Sequence, residues 1–123
     1  MALIDWDLGT RGDPLWDLAV LLSYWAEPGD PPAMLALGQM PTHGHGFPGR
    51  DAVMRRYAET TGRDLSRFRA HRAIASFRLA VVFRQIFKRW RDTGVGDERC
   101  AGFDDLSLGL LEFAGAVAQG RVA

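Results

Sequence analysis

The sequence predicts a mainly α fold of four to five helices with one short N-terminal strand. Three observations carry that reading. Apolar residues in the long segment 65–92 recur at helical rather than alternating spacing. Helix start and stop signals punctuate the chain at Asp13-Pro14, Gly62, Asp64 and Gly94. Only Ala2-Leu3-Ile4 reads as a strand, and no later segment offers it a convincing partner. At 123 residues and 13.6 kDa the chain fits one domain, 1–123, and 47% hydrophobic residues are enough to build its core.

The elements follow in order. Ala2-Leu3-Ile4 runs straight into Asp5-Trp6-Asp7, as a buried strand with acidic groups at its C-terminal end would. Such a strand needs a neighbour for its backbone hydrogen bonds, so the start reads as a cut edge. Gly9-Thr10-Arg11-Gly12 is a turn. Asp13 then caps a helix and Pro14 suits its first position. From Leu15 to Ala26 that helix is apolar almost all round, interrupted by Asp17 and Ser23, as expected of a helix inside a larger protein. Residues 28–49 hold five of the six prolines and read as an irregular loop with one helical turn near Ala33 to Leu37. A helix from Arg50 to Thr61 stops at Gly62. Asp64 caps a long helix, Leu65 to Asp92, whose apolar stripe is Phe68, Ile74, Phe77, Val81, Ile86 and Trp90. A last helix opens at Phe103-Asp104, with Phe103 stapled onto Leu108, and runs to about Gln119.

Composition excludes several classes of function. Fifteen basic against fifteen acidic residues give no net charge, so bulk charge points to neither nucleic acid nor an anionic membrane. One cysteine, Cys100, excludes an internal disulfide framework and a Cys-rich zinc module. No apolar run reaches the roughly 20 residues of a membrane span. The N-terminus has no secretory pattern, so a soluble cytoplasmic protein is expected.

Candidate chemistry concentrates near the N-terminus. Asp5 and Asp7, placed where a strand meets a turn, offer hard oxygens suited to Mg²⁺. Short acidic turns are common, so from spacing alone the reading of these two residues as turn caps is preferred. Asp17, ionised within an apolar helix, would need a donor. His43 and His45 are candidate metal ligands, but two side chains in a Gly-Pro loop make a weak site, and solvated loop histidines fit better. Between Arg55 and Arg91 eleven basic residues face only Glu59 and Asp64. That helix fits a nucleic-acid or anionic surface, or a solvated face with arginine stems lying over apolar neighbours, and the second is preferred.

Ile4-Asp5-Trp6-Asp7, Gly12-Asp13-Pro14 and Asp17-Leu18-Ala19 resemble the C-terminal signature of the aminoglycoside phosphotransferase and choline kinase-like family. Tyr24-Trp25, Glu27-Pro28-Gly29-Asp30-Pro31, Gly46-Phe47-Pro48, Tyr57-Ala58 and Thr61-Gly62-Arg63-Asp64 are similar to its acyl-CoA dehydrogenase-associated branch. The resemblance implies the helical C-lobe portion of a protein kinase-like fold that moves the γ-phosphoryl of ATP to a small-molecule hydroxyl. It implies Mg²⁺ and ATP as cofactors, with Asp5 as the magnesium-binding aspartate, Asp17 bracing the catalytic loop and Asp13 capping the helix. Relatives often carry glutamate at the Asp7 position and serine at the Gly49 position. The family's glycine-rich loop, N-lobe lysine and His-Gly-Asp-x-His-x-Gly-Asn loop would all precede Asp5, and His43-Gly44-His45-Gly46 does not replace them. Phosphoryl transfer rests on positioning and charge stabilisation, so little activity is expected from these residues alone.

The expected partners are therefore a second copy, in a homodimer or higher oligomer that reburies exposed apolar surface, or a separate chain supplying the N-lobe. A non-catalytic helical binding module using the basic helix is the alternative. Acceptor choice would fall to Trp25, His43, His45 and Phe47.

Overall fold

A computed structural model describes residues 11–122. Five α-helices and one 3₁₀ turn follow one another: α1 Leu15–Ser23, α2 Pro32–Ala36, α3 Arg50–Thr61, α4 Phe68–Thr93, the 3₁₀ turn Glu98–Gly102, and α5 Phe103–Ala118. No strand occurs among the described residues. The expected strand at Ala2–Ile4, together with Asp5 and Asp7, lies outside them.

α4 is the element on which the others pack. On one side it meets α5 and α2 through Met34, Leu37, Leu79, Ala80, Phe83, Leu110, Phe113 and Val117. On the other it meets α1 through Leu18, Ala19, Leu22, Phe68 and Ala75, with Val53, Met54 and Tyr57 of α3 packed alongside. Because two neighbours press on α4, small residues sit where they approach most closely. Ala75, Ser76 and Ala80 are buried, whereas Ile74 and Phe77 are more than half exposed. This corrects the predicted stripe: Phe68 is core, but Ile74, Phe77 and Ile86 face outward. Helical spacing identified the helix correctly while the bulkiest residues misled as to its inner face.

Two boundaries and one side-chain contact differ from expectation. α1 stops at Ser23 rather than Ala26. Its last turn tightens, with the Tyr24 and Trp25 N–H groups donating to Leu21 and Leu22 carbonyls three residues back. The Trp25 and Ala26 carbonyls then accept from Arg50 Nη1 (3.1 Å) and Thr42 Oγ1 (3.0 Å), so they serve the loop instead of the helix. α4 begins at Phe68 rather than Leu65. Asp64 accepts from the Ser66 N–H (2.8 Å) and Ser66 hydroxyl (2.7 Å), which holds residues 64–67 as a turn in front of the helix. Phe103 packs edge-on against Phe83, ring centroids 4.9 Å apart, and Leu108 is exposed, so the expected Phe103–Leu108 staple does not form.

The stops of α3 and α4 are as predicted. Gly62 and Gly94 both take φ +67°, and their N–H groups donate to the Ala58 and Trp90 carbonyls at 2.8 and 2.7 Å. No helix among the described residues is long and apolar enough to cross a membrane.

Candidate functional site

A groove of about 1220 Å³ runs between α1 and α4. Its floor is apolar, with Val20, Ala75, Leu79 and Val82. Arg11, Asp13, Asp17 and Arg78 supply its charged positions. α1 thus buries only one side. Leu18, Ala19 and Leu22 are covered by α4, while Trp16 and Leu21 stay about two-fifths exposed beside the groove.

Asp13 organises the entrance. Its Oδ1 accepts the Leu15 N–H at 3.0 Å, satisfying one of the free donors at the start of α1. Its Oδ2 meets His71 Nε2 at 3.1 Å, tying the start of α1 to α4. The Leu15 N–H, and then His71, hold the Asp13 carboxyl below the ordinary carboxylate value. The His71 ring packs against Trp16 (4.8 Å between centroids) and stacks on Phe68 (6.2 Å). Sequence reasoning passed over His71. Its signal was a histidine placed among apolar neighbours in a helix, away from the Gly-Pro loop that holds the other two. Asp17 is exposed on the groove wall, and its carboxylate makes no hydrogen bond among the described residues.

A second polar cluster anchors the loop 24–49. Arg50, at the start of α3, is 2% exposed. Its Nη1 donates to the Trp25 carbonyl (3.1 Å) and Asp30 Oδ2 (3.0 Å), and its Nη2 to Asp30 Oδ1 (2.6 Å) and Glu27 Oε2 (2.8 Å). Glu27 Oε1 also accepts the Arg50 backbone N–H, and the Glu27 N–H donates to Asp30 Oδ2 at 2.8 Å. Gly49 has no side chain to cap α3. A Cβ there would stand 2.8 Å from Glu27 Oε1, so Glu27 occupies the space a serine would use and takes over its capping contact. Sequence reading recorded Glu27-Pro28-Gly29-Asp30-Pro31 as a motif without its purpose, which is to partner Arg50.

His43 and His45 are exposed in the loop. Trp25 packs edge-on against Phe47 (6.2 Å) and donates Nε1–H to the Pro48 carbonyl at 3.1 Å. Among the described residues no three His, Cys, Asp or Glu side chains come together as a metal site. The basic helix is largely a solvated and paired surface. Arg84 pairs with Asp104 and Lys88 with Asp92, while Arg84 and Arg91 lie over the Phe87 ring at 5.5 and 5.7 Å. Arg72 departs from that pattern, being buried at 3% exposure.

Comparison with protein-family models matches residues 1–57 to the phosphotransferase enzyme family. That stretch takes in Asp5, Asp7, Asp13 and Asp17, the whole of α1, and the Glu27–Asp30–Arg50 cluster. Neither the curated proteins nor the solved structures provide a match.

Proposed function

Residues 1–57 match the phosphotransferase enzyme family, and from that premise we propose that the chain belongs to it and is the C-terminal lobe portion of an ATP-dependent kinase acting on a small-molecule hydroxyl. The single observation that carries this reading is the family match over the segment holding Asp5, Asp7, Asp13 and Asp17.

Asp5, assisted by Asp7, is the proposed magnesium ligand. Two carboxylates two positions apart supply the hard oxygens that Mg²⁺ prefers. When bound, the ion would neutralise charge on the nucleotide phosphates. The described residues offer no competing cation site, since Asp13 is engaged with Leu15 and His71. Asp13 sets the start of α1, and Asp17, exposed on the groove wall, would brace a catalytic loop supplied by the proposed partner. Acceptor choice is assigned to Trp25, Phe47, His43 and His45, of which Trp25 and Phe47 pack together and the two histidines are exposed in the loop that Arg50 anchors.

These 123 residues contain no His-Gly-Asp-x-His-x-Gly-Asn run, and their one lysine, Lys88, is paired with Asp92. On their own they transfer no phosphoryl group, because the base and the phosphate-gripping cation must come from elsewhere. A chain carrying that loop, or a second copy covering Trp16 and Leu21, is the proposed partner.

The test is a titration with Mg²⁺ and a non-hydrolysable ATP analogue, followed by tryptophan emission. Trp6 stands next to Asp5, so a saturable change that needs both reagents and disappears in Asp5→Asn is expected. Unchanged wild-type emission at saturating reagent would overturn the reading. Phosphate release should stay at background for this chain and rise when a polypeptide bearing the catalytic loop is added.

A further inference from the structure

Lined, apart from Met54, by residues beyond the segment matched to the family model, a second cavity of about 440 Å³ opens where α3, the start of α4 and the end of α5 converge. Its volume falls within the roughly 300–1,000 Å³ range of small-ligand pockets. Met54, Leu65, Phe68, Val117 and Val122 give it apolar walls. Every charged residue that lines it is an arginine: Arg69, Arg72 and Arg121.

Arg72 is the informative member. It is 3% exposed, and its Nε and Nη2 are buried without an acceptor among the described residues. Those two nitrogens form one edge of the guanidinium, the edge that pairs two-pronged with a carboxylate or phosphate. The nearby acids do not fill that role: Glu27 and Asp30 are committed to Arg50, and Asp51 makes no hydrogen bond or ion pair with Arg72. Burial first, and then repulsion from Arg50, pull Arg72 down to about 10. A buried cation left in that condition is costly unless something arrives to pair with it.

The other two arginines are held near the cavity by the end of α5. Gly120 takes φ +70°, and a side chain there would collide with Arg69 Nη1, so bare backbone lets Arg69 lie across the helix end. The final carbonyls of α5 are already met by backbone. Gly120 N–H donates to Val117 O at 3.0 Å and Arg121 N–H to Ala116 O at 2.9 Å. Arg121 spends only its Nε, on Gln119 Oε1 at 2.8 Å.

We propose that this cavity binds a small amphiphilic anion, a carboxylate or phosphate carried on an apolar body, with its head held by Arg69, Arg72 and Arg121 and its body against Phe68, Met54 and Val117. The charge ring selects an anion, and the walls select one with a tail. Carboxylate and phosphate share this chemistry, and separate probes distinguish them.

The experiment is calorimetric titration of the whole chain with octanoate, octyl phosphate, 1-octanol and inorganic phosphate, each alone. Saturable binding of octanoate or octyl phosphate is expected, and the tighter of the two identifies the head group. The neutral alcohol and the tail-less phosphate should each bind at least about tenfold more weakly. Arg72→Met should abolish binding. Because a buried position is changed there, Arg121→Glu supplies a second variant at an exposed position, and it should weaken binding by at least about tenfold through charge reversal. Three results would overturn the proposal: no saturation by either amphiphile, octanol binding as tightly as octanoate, or anion binding indifferent to both Arg121→Glu and Arg72→Met.

Discussion

Arg50 and Arg72 are almost equally hidden from water, at 2% and 3% exposure, yet their surroundings are opposite. Arg50 lies in the segment matched to the family model and spends its guanidinium on two carboxylates and a backbone carbonyl. It also lies over the Phe113 ring, 5.4 Å from the centroid, which joins the loop 24–49 to α5. Arg72 lies beyond that segment, borders a cavity, and has Nε and Nη2 without acceptors among the described residues. Burial is therefore not one physical condition. A cation whose two terminal nitrogens are met by carboxylates, as Arg50's are, holds a fold together even with its Nε left without an acceptor among the described residues. A cation whose donors are left over costs stability and marks a place where a ligand would be welcome.

The sharpest way to break this contrast is to remove each cation while keeping an apolar stem. Arg50→Met leaves Glu27 and Asp30 facing each other with no counter-charge, Asp30 being 5% exposed at its side chain. The expected loss is about 3–5 kcal/mol in chemical denaturation, the usual cost of orphaning a buried charge. Asp30→Asn in the Arg50→Met background should recover part of it. A loss below about 1 kcal/mol would mean that the acids reach water after all.

Arg72→Met should act in the other direction, raising stability by about 1–2 kcal/mol, because a desolvated cation is exchanged for an apolar side chain. The pH dependence has a definite sign. Burial holds Arg72 at about 10 in the folded chain, below its ordinary value in the unfolded chain, so between the two the unfolded state binds more protons. Wild-type stability therefore gains relative to Arg72→Met as pH climbs through that window, and the gap is widest below about pH 10. Denaturation midpoints of the two proteins, compared at neutral pH and at increasing alkalinity, should converge. A more stable Arg72→Met that has lost anion binding would tie the stability cost to the proposed site.

Gly49 probes the edge of the Arg50 cluster. A methyl there presses on Glu27 Oε1, which also receives the Arg50 N–H. Gly49→Ala should cost about 1 kcal/mol in thermal or chemical denaturation. Gly49→Ser should cost less, since its hydroxyl can accept the helix N–H that Glu27 would give up. Equal losses would show that Glu27 is not serving as the cap.

Much of the fold was legible in the residues because its signals are local. Asp13-Pro14, the Gly62 and Gly94 stops, and the turn expected at Ala33 to Leu37 each depend on a few neighbouring positions, and each stands within one position of the expected place. What escaped depends on distant partners. That Ala75 and Ser76, not Ile74 and Phe77, face inward follows from α1 and α5 closing on α4 from two sides. The pairing of Arg50 with Glu27 and Asp30 spans more than twenty positions. The contact between His71 and Asp13 spans fifty-eight. Arg72 was counted with the surface arginines because nothing in its sequence neighbourhood distinguishes it from them. The motif residues Asp5 and Asp7 stood out by chemistry alone, and they lie outside the described residues.

The Asp13–His71 contact is the solvent-facing counterpart of the Arg50 cluster and should show the smallest effect. Asp13 is about half exposed, so water competes for both of its hydrogen bonds. Its carboxyl is held below 3.8, chiefly by the Leu15 N–H and then by His71. The stability it contributes is therefore present above the ordinary carboxylate value and is lost as pH falls through its lowered value. Asp13→Asn keeps an acceptor for Leu15 but removes the charge facing His71, whereas Asp13→Ala removes both. At neutral pH the melting temperature should fall in the order wild type, Asp13→Asn, Asp13→Ala. As pH drops below the carboxylate range, the protonated wild type should approach Asp13→Asn while Asp13→Ala stays lowest. If Asp13→Asn instead matched the wild type at every pH, the carboxylate would be acting only as a helix cap, and the clasp between α1 and α4 would rest on the packing of Trp16 and Phe68 against the His71 ring.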